Sequence, residues 1–303
     1  PQPVPQGLDE DVSILQEPLQ NIYLVASGAM DMFASLDAVD QIRFSGQKQE
    51  NWYIQTAKDA MAAGDMIYAG KYSKPDYELL VSEGCDLAIE NRMITHSPEV
   101  VEMLQSFDIP VMIEYSSYEQ HPLGKVEWVK FFGALTGKEA KAEEAFAEQT
   151  EILEEVESGE KTGKTIAFFY VTSNGLIQVR QSTDYIPKLI ELAGGRYIFE
   201  NLEDSGSGRS TLNMQVEDFY AGAKDADILI YNSSIDGGVT TVDELIGKCN
   251  ILKDFKAVQE GQVYCTTNDM YQQSMAVGYL LQDMHTVLTD DDTAKLRYLF
   301  LLQ

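Results

Sequence analysis

The sequence predicts an α/β protein made of two β/α lobes with parallel-type sheets, joined by one long backbone helix. Three observations predict it. Short apolar runs rich in branched and aromatic residues alternate with helical stripes from residue 20 onward. The strongest helical stripe, at 138–157, falls mid-chain. After it the same alternation starts again.

Taken in order, residues 22–26 (IYLVA) read as a buried strand ending at Ser27-Gly28, followed by a helical face of Met30, Phe33, Ala34, Leu36 and Val39. A strand at 41–45, a short helix at 77–84 and a strand at 86–90 continue the pattern. The helix at 98–107 opens on Pro98, a residue suited to the first helical turn because its missing N–H has no partner to lose there. A strand follows at 109–113, then a helix at 122–135. In 138–157, Ala142, Ala145, Phe146, Gln149, Ile152, Leu153 and Val156 form one stripe, with carboxylates elsewhere. The second half has strands at 165–170 and 176–180 around Asn174-Gly175, a hairpin signal. A helix over 185–193, a polar loop at 201–211 and a helix at 215–224 lead to the buried strand 227–231. A short helix at 252–258, a strand at 262–264 and helices at 271–288 and 291–302 complete the expectation. The expected domains are a polar tether (1–19), an N-terminal lobe (20–137), a connecting helix (138–159) and a C-terminal lobe (160–303).

Among the 303 residues, 22 Lys and Arg face 49 Asp and Glu, a net charge of −27. A nucleic-acid partner needs a basic face to replace phosphate counterions, and an anionic membrane surface repels this chain. Hydrophobic residues at 44% argue against disorder. Three cysteines, Cys85, Cys249 and Cys265, without CxxC spacing, read as small buried apolar residues. No apolar run spans a bilayer, and the opening PQPVPQGLDEDVS has no signal pattern. No GxSxG, HExxH or Walker motif supports catalysis. Gly206-Ser207-Gly208-Arg209-Ser210-Thr211 begins like a dinucleotide loop but lacks the third glycine.

An ordered set of phrases carries a resemblance: VASGAMDMFASLDAVDQIRFSG (25–46), PDYELLVSEGCDLAI (75–89), IPVMIE (109–114), FFGALTGKEAKAEEAF (131–146), IELAGGRYIF (190–199), VEDFYAGAKDADILIY (216–231) and LKDFKAVQEGQVY (252–264). Together they resemble the class III, helical-backbone periplasmic binding proteins, the substrate-binding components of ABC importers for iron–siderophore, haem and cobalamin ligands. Cys85-Asp86 and Ala226-Asp227 stand where that family usually has Pro-Asp. The resemblance implies a ligand cleft between the lobes and delivery of a small-molecule metal complex to an ABC permease dimer with its ATPase. It implies a monomer outside the cytoplasm, periplasmic or lipid-anchored to the outer face of the cytoplasmic membrane. No resident cofactor is expected, since iron or cobalt would arrive within the ligand. Two alternatives are a binder of free transition-metal ions on the same scaffold and a surface scavenger or sensor without transport.

In such a binder the ligand meets the loops at the C-terminal ends of the parallel strands. That rule selects Ser27–Met30, Ser45–Gln47, Glu90–Met93 and Tyr115–Glu119 in the first lobe. In the second it selects Tyr170–Arg180, Asn232–Ser234 and Thr267–Tyr271. From these and the segments that could close over them come the expected ligand-binding residues Tyr72, Met93, Ser116, Ser117, Tyr118, Tyr170, Arg180, Tyr185, Arg209, Asn232 and Tyr271. The tyrosines suit stacking on a flat ligand, against the plainer alternative of core packing. Arg180 and Arg209 suit carboxylate, phosphate or catecholate oxygens, against an ordinary salt bridge. Imidazole plus carboxylate can hold a transition metal, which makes His96, Glu90 and Glu119 the alternative metal set; His121-Pro122 reads more simply as a helix cap. Trp52 is a further possible wall. The resemblance also implies that Glu78 and Glu217 dock onto permease arginines, the alternative being solvated helix carboxylates.

Overall fold

The computed structural model describes residues 5–9, 12–17, 19–203, 209–233, 236–291 and 293–303. The chain divides into two compact units: Pro1–Ser117 with Glu127–Ala147 and Gln272–Met275, and Tyr118–Val126 with Glu148–Tyr271 and Ala276–Gln303.

The first unit begins with β1 (Ile22–Leu24), α1 (Ala29–Ser35), β2 (Ile42–Ser45), α2 (Gln55–Ala63) and β3 (Ile67–Tyr68). A small hairpin of β4 (Gly70–Lys71) and β5 (Lys74–Pro75) follows, then α3 (Tyr77–Ser82), β6 (Leu87–Asn91), α4 (Pro98–Ser106) and β7 (Val111–Glu114). The five larger-sheet strands run parallel in the order β3-β2-β1-β6-β7. A parallel sheet is covered on both faces, so its strands read as continuous apolar runs rather than alternating ones. On one face Tyr23, Phe44 and Ala88 meet Leu80 of α3 and Val100 and Leu104 of α4. Trp52 is fully buried, with its indole N–H donating to Ser45 Oγ at 3.0 Å, so it is a core pillar rather than an exposed wall.

Two long helices follow, α5 (Pro122–Thr136) and α6 (Glu139–Glu157). Phe132 of α5 packs on Phe33 of α1, ring centroids 5.1 Å apart. At Gly133 an added Cβ would lie 2.5 Å from the Ala142 Cβ, so only glycine allows α6 to come this close. Of the expected α6 stripe, Ala142, Gln149, Leu153 and Val156 are buried. His121 Nδ1 accepts from the Leu123 amide at 3.2 Å, the capping role read from His121-Pro122.

The second unit contains β8 (Thr165–Val171), β9 (Ile177–Arg180), α7 (Tyr185–Leu192), β10 (Arg196–Tyr197), β11 (Thr211–Met214) and α8 (Val216–Ala223). It continues with β12 (Ile228–Tyr231), α9 (Val242–Lys248), α10 (Lys256–Gln259), β13 (Val263–Thr266), α11 (Val277–Thr289) and β14 (Leu299–Leu301). The strand order is β11-β9-β8-β12-β13-β14, with β10 also on β8. One edge of β8 is shared: β10 pairs parallel with Thr165 and Ile166, and β9 pairs antiparallel with Phe169–Val171. The Asn174-Gly175 hairpin therefore forms where the sequence places it.

The two units repeat one device. Asp86, just before β6, accepts the backbone N–H groups of Gln20 and Asn21 (2.9 and 3.1 Å) ahead of β1. Asp227, just before β12, accepts the Thr165 N–H and hydroxyl (2.7 and 2.8 Å) at the start of β8. In each unit a carboxylate thus pins the entry of the neighbouring strand, whatever residue precedes it.

Several expectations need correction. Residues 291–302 are not a helix: the segment ends in β14, antiparallel to β13, with Tyr264 opposite Leu301. Buried Asp283 of α11 causes this by accepting the backbone N–H groups of Arg297, Tyr298 and Leu299 at 2.9, 2.6 and 3.0 Å. The expected loop at 201–211 is followed at once by a strand that the sequence reading did not contain: β11, held by β9 from Thr211 opposite Arg180 to Met214 opposite Ile177. The helix expected over 252–258 is broken at buried Phe255. The helix expected from 271 begins at Val277, because 272–275 is tied into the first unit. There Gln272 accepts from the Tyr53 amide at 2.7 Å, and the Met275 amide donates to Asp31 at 2.7 Å.

Candidate functional site

In the first unit every large-sheet strand points the same way, so all C-terminal ends share one rim. Tyr68 ends β3, Met93 follows β6 in a 3₁₀ turn (Arg92–His96), and Tyr115 follows β7. These three are 41%, 48% and 40% exposed, and Tyr53, after β2, is 43% exposed. Large apolar groups exposed together at strand ends are the surface feature that calls for a ligand. The rim is held from beneath: Asn91 accepts from the Met93 amide at 2.9 Å, and Glu114 accepts from the Ser116 amide.

Of the expected first-unit residues, Met93 and Ser117 are exposed, whereas Ser116 is buried. Tyr72 sits at the tip of the β4–β5 hairpin and is half-buried against the α3/α4 core. The hairpin itself depends on Gly70 (φ +91°), where a Cβ would lie 2.2 Å from the Lys74 carbonyl oxygen. The sequence reading missed Tyr53 and Tyr68. The only signal was the aromatic content of 47–72, because β3 is two residues long and leaves no periodicity.

In the second unit the structure brings Arg180, Asp184, Tyr185 and Tyr197 together. Arg180 lies 3.5 Å from Asp184, with their side chains 18% and 2% exposed, and its guanidinium stands 5.7 Å from the Phe168 ring centroid. Burial disfavours that charge, but Asp184 beside it holds the guanidinium pKa above its ordinary value. The plainer alternative of a salt bridge therefore applies to Arg180. Tyr197 locks the same turn, donating to the Arg180 carbonyl at 2.9 Å and accepting its amide at 3.1 Å. Arg209 is exposed, and its carbonyl accepts from Gln181 at 2.6 Å. Tyr118 and Tyr271 are 41% and 38% exposed. Tyr170 is half-buried with its ring 6.2 Å from Tyr231, and Asn232 is buried with its amide bonded to Phe169. Ser234 and the stretch 204–208 of the glycine-rich loop lie outside the described residues.

Glu90, of the alternative metal set, is fully buried, and neither carboxylate oxygen has a partner among the described residues. His96 is exposed and Glu119 half-buried. Among the described residues no group of three or more His, Cys, Asp or Glu side chains is disposed to hold a metal ion. Two cavities are lined by none of the aromatic rim residues. One of about 390 Å³ borders Thr183, Asp184 and Tyr197. The other, of about 660 Å³, borders Asn21 and Gln41 at the opposite, N-terminal ends of the first unit's strands.

Glu78 and Glu217 are both exposed and both occupy the second position of a helix, α3 and α8 respectively. Each helix leads into the strand that follows the Asp86 or Asp227 clamp. A carboxylate in the first turn is also favoured by the helix dipole, and charged side chains are ordinarily exposed, so the alternative of solvated helix carboxylates fits the same placement.

The family model described as periplasmic binding protein matches residues 26–270. An uncharacterised lipoprotein of Methanocaldococcus jannaschii, MJ0878, is 25% identical, over 94% of this chain and 70% of that protein. Among solved structures, a possible iron-binding (periplasmic solute-binding) protein from Staphylococcus epidermidis superposes with a TM-score of 0.67 at 16% identity, covering 89% of this chain and 98% of that one. The periplasmic haem-binding protein HutB of Vibrio cholerae does so with a TM-score of 0.68 at 14% identity, covering 88% and 98%. At these identities the two structures speak for the fold.

Proposed function

The chain belongs to the periplasmic binding protein family, and from that premise we propose that it captures an iron–siderophore, haem or corrinoid complex outside the cytoplasm. It hands this cargo to an ABC permease dimer with its ATPase. Its work is reversible binding without turnover, at the outer face of the cytoplasmic membrane through a lipid or free in the periplasm. No helix among the described residues is long and apolar enough to cross a membrane.

The observation that carries the reading is the exposed rim of Tyr68, Met93 and Tyr115 at the strand ends of the first unit. Such a rim suits a flat, conjugated or chelated ligand, since aromatic faces supply contact area with little loss of side-chain freedom. The names of the Staphylococcus and Vibrio structures, which refer to iron and haem, agree with this ligand class. The test is a titration of purified protein with ferric siderophores, haem and corrinoids, followed through Trp52 and Trp128 fluorescence. Saturable quenching by one of them is expected, and weaker binding in Tyr68→Ala/Tyr115→Ala. If none quenches saturably, the reading fails.

A further inference from the structure

Glu90 is fully buried, and neither oxygen of its carboxylate has a hydrogen-bond partner among the described residues. β6 pairs with β1 so that Ala88 stands opposite Tyr23, and Glu90, two residues on, shares that face of the sheet. Tyr23 is equally buried, and its hydroxyl donates its one proton to the Gly70 carbonyl at 2.8 Å.

That bond anchors the β4–β5 hairpin to the sheet. Gly70 faces Pro75 across the hairpin, and a proline has no N–H to offer its carbonyl. The Tyr23 hydroxyl supplies the donor instead. Beside it the Asp76 amide closes the base of the hairpin on the Ala69 carbonyl at 2.8 Å. Ala69 and Gly70 directly follow Tyr68, the rim residue that ends β3. The same face therefore holds one buried donor already in use and one buried carboxyl without a partner.

Burial alone raises the Glu90 pKa, to about 8, with no cation among the described residues pulling it back. The titratable groups around it are Tyr23 of β1, Tyr72 of the hairpin, Tyr77 of α3 and Cys85 ahead of β6. Tyr68 of β3 acts on Tyr23, and Glu99 of α4 acts on Tyr77. β7 sets the apolar Ile113 opposite Glu90. Burial pushes Tyr23, Tyr77 and Cys85 upward, Cys85 to about 12, so each keeps its proton while Glu90 loses its own. An ionised carboxylate in such a place requires a donor.

We propose that Glu90 is a proton-operated latch on the β4–β5 hairpin. Protonated, it leaves the Tyr23 hydroxyl bonded to Gly70. When its proton leaves to water, the carboxylate draws that hydroxyl over in a charge-assisted hydrogen bond, about twice as strong as a neutral one, and the hairpin loses its anchor. The latch works without ligand, so its test is independent of the capture reading.

Amide hydrogen exchange of the full chain is followed from about pH 6.5 to about pH 9, each rate corrected for its intrinsic pH dependence. Protection of the Asp76 amide should fall by about fivefold to tenfold, the worth of one hydrogen bond, with its midpoint at the Glu90 titration, about 8. The Ala88 amide, bonded to the Pro110 carbonyl at 2.9 Å in the same sheet, should fall less. Constant protection of Asp76 overturns the latch, and so do equal falls at both amides, which mean a general loosening of the unit. Glu90→Gln should keep Asp76 protected throughout; a fall like that of wild type assigns the step to another group and overturns the proposal. Tyr23→Phe removes the anchor at every pH, so Asp76 protection should start low and show no step. A wild-type step in that variant breaks the link through Tyr23 and overturns the proposal. The wild-type comparison of Asp76 with Ala88 needs no variant, so it decides even where a substitution unfolds the chain.

Discussion

Glu90 shows how one residue type can be read for the wrong role. As a carboxylate at a strand end it belonged to a metal-ligating set, yet it lies wholly inside the α3/α4 face of the first unit's sheet. Burial pushes its carboxyl from an ordinary 4.5 up to about 8. The sign follows from proton counts: between those pH values the unfolded chain gives up the proton and the folded chain keeps it. Stability from this residue is therefore full below pH 4.5, falls as pH rises towards 8, and is flat beyond. At about 1.4 kcal/mol per pH unit, the ceiling is about 5 kcal/mol. Glu90→Gln should remove the slope, so its stability relative to wild type should rise steadily from pH 4.5 to 8 in urea unfolding. Parallel profiles for the two proteins would refute the assignment. Arg180 teaches the same lesson in reverse, since an arginine in an acidic chain finds its carboxylate four residues away.

At the scale of elements, single polar side chains decide which strands form. Asp283 holds three successive backbone amides at the entry of β14, and it does so while buried. Burial raises its pKa, against the pull of the amides of Tyr298, Arg297 and Leu299. Asp283→Ala leaves the buried Leu299 amide without an acceptor, for an expected loss of about 3 kcal/mol in denaturant unfolding. Hydrogen exchange at Leu299–Leu301 should accelerate in the variant; unchanged protection would sink the clamp. Asp227 works the other way in pH. Burial tends to raise its pKa, but hydrogen bonds from Lys256 and Thr165 prevail and bring it from 3.8 to about 2. Its contribution is present above pH 3.8 and lost as pH falls towards 2, so Asp227→Asn should flatten that part of the acid-unfolding curve. The glycine in the α5–α6 contact gives a steric counterpart. Gly133→Val must push the two helices apart, costing about 2 kcal/mol or more in thermal unfolding.

For the whole molecule, the net charge of −27 narrows partners more than it identifies them. Nine carboxylates against two lysines in 138–160 locate much of it on the solvated side of α6. Within that uniform background Glu78 and Glu217 stand apart through matched placement, each exposed at the second position of a helix leading into a clamped strand. Charge-assisted rim pairs fix orientation and encounter more than affinity. We propose that both dock on a permease, so Glu78→Lys/Glu217→Lys should abolish stimulation of an importer ATPase in proteoliposomes while leaving ligand titration unchanged. Loss of ligand binding in the double variant would assign these residues another role.

The sequence by itself determined the alternation of strands and helices, the Asn174-Gly175 hairpin, the α6 stripe and the family. Each of these is written in local periodicity, turn chemistry or ordered phrases, which survive without knowledge of neighbours. The tertiary structure decided what depended on residues far apart in the chain. Thr211–Met214 becomes a strand because β9 offers an edge, and the last residues become one because Asp283 accepts their amides. It also decided which polar groups have partners. Arg180 is answered by Asp184, while the Glu90 carboxylate is enclosed without a hydrogen-bond partner among the described residues. Composition counts charges, but only packing sets which of them meet. Glu90, left unmatched, is the residue on which pH acts.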